Sequence, residues 1–592
     1  MAPTASSRFA PHFSSRLSKE PRFPLGLLLI LLALTPAAAR AEADVFGLGN
    51  GQHGVLQVRN PGVIINTSKP FTAEAPAGST ELRVSDVEGF AAGELVLVIQ
   101  MRGDLPLEQY AGTGDVLDLK DTGAGRWELA RLASVEPGVL RLTAPLVNRF
   151  ALVSQVVRVP EYTDVRISSS SNSLTAPPWN GLNGGVLAFL VTGTVFNQGT
   201  LVADGAGFRG GAAEPGVGST AVGCEALDGP VGSGGATGGG TSKGEGLASA
   251  SPGAPTHGYG RLANAGGGGN CHDAGGGGGG HVGKGGQGSR SVLGDGDRDV
   301  GGRGGLALRY QAQERLLLGG GGGAGMGGTA GGPGGGIIFL RAREIQGPRP
   351  RGFITANGLS AAASTGAGAG GGGAGGTVHV RVERQLGCTG LEAKGGVGGN
   401  SDTTPGGGGG GGQLFLQSSG VEAGCIVTAA GGLAGTTPSG NRGAEPVSVP
   451  PESGGGVSII NVPFGPPPVP TWVSPGSGEV ALPLQPSIQG KTAAGATVQV
   501  FLDGTPLGAP VVASDTGDFT VVPATELTRG HHEVRAWAEQ LGARSALSAP
   551  HGFTVGEIAL DVGFGCGVAS GGGLGALGLA VLALVLRRRA RV

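Results

Sequence analysis

Charged side chains are scarce in this chain: Asp, Glu, Lys and Arg make up 14% of 592 residues, against about a quarter in ordinary soluble domains. Forty-one basic residues face 43 acidic ones, a net charge of −2. That balance excludes an electrostatic case for nucleic acid or acidic lipid as partner. It equally excludes disorder driven by high net charge. Aromatic residues are only 4% of the chain. Helical periodicity is missing from the first 140 or so residues after the amino-terminal leader described below, where apolar and polar residues alternate instead. No catalytic motif appears in the structural setting its chemistry needs. What fills the space is glycine, 126 residues, with 38 prolines.

Both ends carry address-like features. Arg8, Arg16, Lys19 and Arg22 precede an apolar run from Leu25 to Leu34. Ala39 and Ala41 flank Arg40 as a small-x-small cleavage site, so residues 1–41 read as a secretory signal peptide rather than as part of the fold. Val562 to Leu586 is free of charge and ends in Arg587-Arg588-Arg589. A helix of that length can cross a hydrocarbon layer of about 30 Å, with the arginines on the cytoplasmic side. Residues 557–592 are therefore expected to be a terminal hydrophobic helix that anchors or sorts the protein.

Between the ends the expected class is mainly β. Residues 44–180 read as a small β-barrel or sandwich, with a hairpin at Pro137-Gly138. Residues 181–462 carry a repeat: paired glycines at 184–185, 335–336, 375–376, 411–412 and 455–456 each precede a short apolar strand. The last four pairs are 40, 36 and 44 residues apart. Behind the first four strands comes a second element, Leu201–Gly205, Ile354–Gly358, Leu391–Gly395 and Val427–Gly431. Two short strands cannot bury an apolar face alone but stacked units can, so a β-solenoid is expected. The polyglycine tracts between rungs, above all within the excursion from 206 to 334, are read as linkers or loosely ordered loops, since glycine loses the most entropy on ordering. Laterally packed extended polyglycine is the rival reading. Residues 463–472 are rich in proline and read as a stiff linker. Residues 473–556 read as a compact β-sandwich with a hairpin at Asp503-Gly504.

Cysteine arithmetic favours disulfides in an exported chain. Cys388 and Cys425 stand just before the second element of adjacent repeats, which pairs them and leaves Cys224 for Cys271. Cys566 is the odd one and a candidate for processing. Asp295, Asp297 and Asp299 alternate on a Gly-rich loop and could converge on Ca²⁺, against the plainer reading of a solvated acidic turn. No other cofactor is expected. Gly240-Thr241-Ser242-Lys243-Gly244 spells a nucleophile elbow but lacks the flanking strand and helix. Gly490-Lys491-Thr492 lacks the leading glycine of a phosphate loop, where Gln485 stands. His531 and His532 are neighbours on a strand and point to opposite faces, which rules out a shared metal.

Ala494 to Gly504 together with Leu527 to Val534 resembles a bacterial Ig-like repeat of the surface-adhesin type. Gly565-Cys566-Gly567, the apolar span and the terminal arginines resemble the C-terminal sorting signal of myxobacterial surface proteins, which implies Cys566 as the processing and anchoring position. Gly567 departs from the small polar residue that often follows that Cys. Asp44 to Gly51, Val159 to Thr163, Ala203 to Gly211 and Asp299 to Gly302 are similar to the adventurous gliding motility surface proteins of myxobacteria. The resemblances imply an exported, non-enzymatic structural or adhesion protein at the cell surface or outer membrane. Its partners would be the membrane through the tail, the export and sorting machinery, and extracellular polysaccharide or other envelope proteins. A polysaccharide-binding protein, or a β-helix lyase or hydrolase, is the alternative. The repeat strands are mostly aliphatic, whereas Tyr110, Trp127, Tyr162 and Trp179 fall in the amino-terminal region, which keeps glycan binding open there.

Overall fold

The computed structural model describes residues 46–103, 105, 116–213, 240–248, 256–270, 273–290, 301–347, 349–440, 443, 456–481, 483–540 and 543–556. The signal region with Ala39 and Ala41, Cys224, Cys271, the Asp295/Asp297/Asp299 turn, Cys566 and the terminal helix expected in 557–592 lie outside these residues. Among the described residues every regular element is a strand, and no helix is long and apolar enough to cross a membrane.

The repeat strands stack as expected. Val186–Asn197, Ile337–Gln346, Thr377–Val382, Gln413–Gln417 and Val457–Ile460 run parallel and adjacent in one sheet. Val186, Ile337, Thr377 and Gln413 stand in register across four of them. The second elements form their own parallel sheet, Thr200–Val202, Phe353–Thr355, Gly390–Glu392 and Ile426–Thr428, preceded by Ser173–Thr175. Alternate residues point to opposite faces of a strand. Leu187, Ile338, Val378 and Leu414 therefore face Leu201, Ile354 and Leu391 across the solenoid interior, in one buried cluster. Cys388 and Cys425 are disulfide-bonded at that wall, with their Cα atoms 5.0 Å apart. The spacing is close to that of adjacent strands, about 4.8 Å.

The first 180 residues are not a separate sheet system. Val55–Val58 and Asp164–Ile167 are the first strands of the long solenoid sheet. Between them the chain leaves to build a barrel, in the order Ser68–Pro70, Ser154–Val159, Leu95–Gln100, Trp127–Glu136, Val139–Leu142, Glu81–Arg83. A bridge between Phe71 and Val84 closes it. Phe71, Leu82, Val96, Val98, Leu140 and Phe150 fill the barrel. The opposite faces of its strands, through Leu95, Leu97 and Leu129, pack on Ala188, Leu190 and Phe339 of the solenoid. The opening strands lack the paired glycines of the later rungs, so nothing in their sequence marks them as members of the repeat. Buried Glu161 ties the junction: it accepts two 2.8 Å bonds from Arg131, one from the Asn50 amide and one from Gln52. Asn50 and Glu161, from two of the segments that carry the family resemblance, thus meet in a structural role.

The polyglycine tracts overturn the linker reading. Segments 205–211, 264–269, 274–280, 301–306, 319–325, 368–376 and 404–412 lie side by side as extended chains, joined by backbone hydrogen bonds. Gly276 and Gly279 donate to Ala369 and Gly372, Gly277 and Gly280 to Gly267 and Asn264, and Gly275 and Gly278 to Ser289 and Gly286, at 2.7–2.9 Å. A partner that recurs every third residue is the mark of the three-residue extended helix. Segment 274–280 thereby donates to three neighbours and accepts from three more, through Gly302 and Gly305, Gly323 and Met326, and Gly407 and Gly410. A Cβ at Gly278 would overlap the Gly408 carbonyl, which leaves only glycine for this spacing. Saturated backbone hydrogen bonding offsets the ordering entropy that argued for loops.

The proline-rich segment is likewise more than a spacer. Phe464 is buried, its amide bonds to the Val382 carbonyl, and its ring lies 5.2 Å from the Arg341 guanidinium and 5.6 Å from that of Arg381. Thr471–Ser474 is already a strand. A second compact unit begins at Pro467. It is a sandwich of two sheets, Thr471–Ser474, Ile488–Lys491 and Asp518–Val521 on one, with Thr497–Leu502, Gly530–Gln540 and His551–Val555 central to the other. Ile488, Val500, Phe519, Val534 and Phe553 form its core. Asp503 and Gly504 both take positive φ, 49° and 80°, as a two-residue hairpin of mirror-image turn type requires.

Candidate functional site

A cleft with a volume of about 820 Å³ opens beside the barrel. Its walls come from two stretches far apart in sequence. Strand Val116–Asp118 pairs in parallel with Ala307–Arg309, Arg309 standing opposite Asp118. The Leu119 amide donates to the Arg309 carbonyl at 3.0 Å and Arg126 bridges Arg315. Arg315 clamps the turn between them: its guanidinium is buried and donates to the carbonyls of Leu119, Thr122 and Ala124 at 2.6–2.8 Å. Burial lowers its pKa from the ordinary arginine value. Trp127 and Tyr310 contribute partly buried rings to the lining. Asp118, Lys120, Arg309, Gln311, Gln313 and Glu314 are exposed around them, and Asn148 completes the wall.

The aromatic pair is held from behind. Trp127 meets Phe339 edge-on with ring centres 5.1 Å apart, and His379 at 5.8 Å. The Tyr310 hydroxyl donates to Nε2 of fully buried His281 at 2.8 Å, while His281 Nδ1 donates to the Gly375 carbonyl at 2.7 Å. Burial pushes the Tyr310 pKa up and the His281 pKa down to about 4. Both are neutral near pH 7, so this pair positions a ring and supplies no charge. The cleft is thus an open trough with two aromatic rings, three amide side chains and six ionisable ones, a surface fitted to bind a polar, hydroxyl-rich ligand with apolar faces.

Other polar groups in the interior are spent on packing. Phe339, His379 and Phe415 stack rung on rung, with ring centres 5.2 and 4.7 Å apart. Burial holds the His379 pKa well below its usual value, and neither ring nitrogen has a hydrogen-bond partner among the described residues. His532 sits in the sandwich, bonded through its two ring nitrogens to Asp503 and to the Thr528 carbonyl, both at 2.7 Å, while His531 is exposed, as the strand alternation requires. Ser242 lies in the polyglycine bundle with its hydroxyl 3.5 Å from His257 Nε2, in no strand-to-helix turn. Among the described residues no group of three or more His, Cys, Asp or Glu could hold a metal ion.

Of the aromatic residues singled out from sequence, Trp127 reaches the cleft, Tyr162 and Trp179 are buried, and Tyr110 lies outside the described residues. Reading the sequence missed Arg309, Tyr310, Gln311, Gln313, Glu314 and Arg315. Their signal was present: 309–315 is a glycine-free polar run inside the long glycine-rich excursion.

No protein-family model matches the sequence, and no curated protein matches it. Among solved structures, the Gp54 tailspike of Acinetobacter baumannii bacteriophage AP22, in complex with A. baumannii capsular saccharide, aligns over 82% of this chain and 88% of its own at 9% identity, with a TM-score of 0.14. The Pseudomonas phage phi297 tailspike gp61 aligns over 82% and 84% at 9% identity, with a TM-score of 0.13. At such scores the aligned strands do not superpose as one common fold, so the likeness bears on neither architecture nor chemistry.

Proposed function

We propose that this protein is an exported surface protein that binds polysaccharide through the cleft between 116–127 and 309–315. The observation that carries the reading is the lining: Trp127 and Tyr310 offer faces for sugar rings, and Asn148, Gln311 and Gln313 offer paired donors and acceptors for hydroxyls. The solenoid and sandwich then serve as scaffold and spacer. Export rests on the leader ending near Ala41. Attachment at the cell surface, and a contribution to gliding or adhesion, rest on the tail and on the resemblances carried by Cys566 and the quoted segments.

Glycan-array binding of the full chain tests this, beside a Gln311→Ala/Gln313→Ala variant. Both glutamines lie on the cleft wall, Gln311 and Gln313 being exposed, so their removal leaves the fold alone. Loss of two hydrogen bonds is expected to weaken binding about tenfold. A blank array, or a glycan bound equally by the variant, overturns the reading.

A further inference from the structure

We infer that the ligand of this cleft is an acidic polysaccharide, one that carries carboxylates such as uronate residues. The inference rests on the glycan-binding reading above and adds the charge of the glycan.

The chain as a whole is slightly acidic, with a net charge of −2. The cleft has the opposite sign. Among the described residues Lys120, Arg126, Arg309 and Arg315 line it with Asp118 and Glu314, two more positive groups than negative, and one more when Asp121, 4.0 Å from Lys120, is counted. The excess is held in place by the fold. Arg315 is buried and its guanidinium is bonded to three neutral carbonyls, so it adds a charge without a carboxylate hydrogen-bonded to it. Arg126 and Arg309 make no ion pair or side-chain hydrogen bond among the described residues, although Arg309 stands in register with Asp118. Several arginines elsewhere on the barrel and solenoid are instead neutralised by a carboxylate, Arg131 by Glu161, Arg158 by Glu94 and Arg351 by Glu422. A trough of net positive charge, walled by low-dielectric protein, focuses its field on whatever enters it. A guanidinium with all its donors free matches the two oxygens of a carboxylate. Trp127 and Tyr310 between the cations favour sugar rings over a bare anion.

The test compares uronate polymers, polygalacturonate and hyaluronan among them, with the same polymers after chemical reduction of their carboxyl groups to alcohols. Affinities for the full chain are measured by titration calorimetry in low and in 0.5 M salt, with salt screening expected to shorten the reach of exposed charges to a few ångströms. The acidic polymer is expected to bind about tenfold more tightly than its reduced form, with the margin shrinking in high salt. Arg309→Gln and Arg126→Gln are each expected to weaken the acidic polymer about fivefold, a larger loss than for the reduced one. Arg309 is exposed at a strand end, so its replacement does not threaten folding. Equal binding of acidic and reduced polymers, unaltered by either substitution, overturns the charge inference and leaves the glycan reading standing. Failure to bind any polymer, acidic or neutral, overturns the glycan reading itself.

Discussion

On each rung the chain passes from sheets held together by side chains into a bundle held together by backbone, and the two parts obey different rules. In the sheets, Leu187, Ile338, Val378 and Leu414 fill the interior. Burying such a side chain contributes about 1.5–3 kcal/mol, and a smaller residue leaves a partly collapsible hole. In the bundle there is no side chain to trim, and the carbonyl that a Cβ would strike is itself bonded to another segment. The sheets therefore tolerate apolar substitution of similar volume, whereas the bundle specifies one residue type at nearly every interior position.

The sharpest break of this comparison is Gly278→Ala. The added methyl would overlap the Gly408 carbonyl, and backbone cannot rotate away as a side chain can. The expected cost is at least about 4 kcal/mol, beyond the usual overpacking change, with loss of hydrogen-exchange protection across 274–280 and 404–412. Urea unfolding and amide exchange would read it; wild-type stability would show the bundle to be looser than its hydrogen bonds imply.

Next in size comes the Cys388→Ser/Cys425→Ser pair on the side-chain wall. Removing a cross-link between residues 37 apart is expected to cost about 3–4 kcal/mol. Because the link joins adjacent strands and not glycine segments, exchange protection in the bundle should be unchanged until global unfolding.

A pH effect of about 3 kcal/mol is expected from His281, which joins the bundle to the cleft through Gly375 and Tyr310. Burial lowers its folded pKa to about 4, below an ordinary histidine value of about 6.5 in the unfolded chain. The unfolded chain then binds the extra proton between those values, so stability is complete above about pH 6.5 and falls as pH drops towards 4. Unfolding free energies at pH 7.5 and pH 4 should differ by less in His281→Gln than in wild type.

The smallest effect separates two reasons for glycine. Gly504 in the sandwich hairpin has φ of 80° and open space where a Cβ would go. Gly504→Ala should cost only about 1–2 kcal/mol of backbone strain, measurable as a modest drop in Tm. A loss as large as that of Gly278→Ala would mean that crowding is not what distinguishes the bundle.

Much of the architecture was legible because it is written in apolar alternation and in a repeat. The paired glycines mark the five solenoid strands, Pro137-Gly138 and Asp503-Gly504 mark their hairpins, and Cys388 and Cys425 sit at equivalent places on neighbouring rungs. The opening strands Val55–Val58 and Asp164–Ile167 were not legible as solenoid, because membership in a sheet depends on which neighbour is free and not on local pattern. Phe464 shows the same limit: amid prolines it reads as spacer, yet two arginines and the Val382 carbonyl give it a seat.

Local pattern alone determined the β class, the repeat and its disulfide, since these depend on side-chain period and on equivalence between rungs. Only tertiary structure decided whether the glycine tracts would be loops or a lattice, because a glycine segment becomes ordered only when neighbours all round it accept from and donate to its backbone. The cleft was decided in the same way. Trp127 and Arg126 lie some 180 residues from Arg309 and Tyr310 in the chain, and no local rule relates them. They meet because Arg315 captures the carbonyls of the 119–124 turn and draws the two segments together.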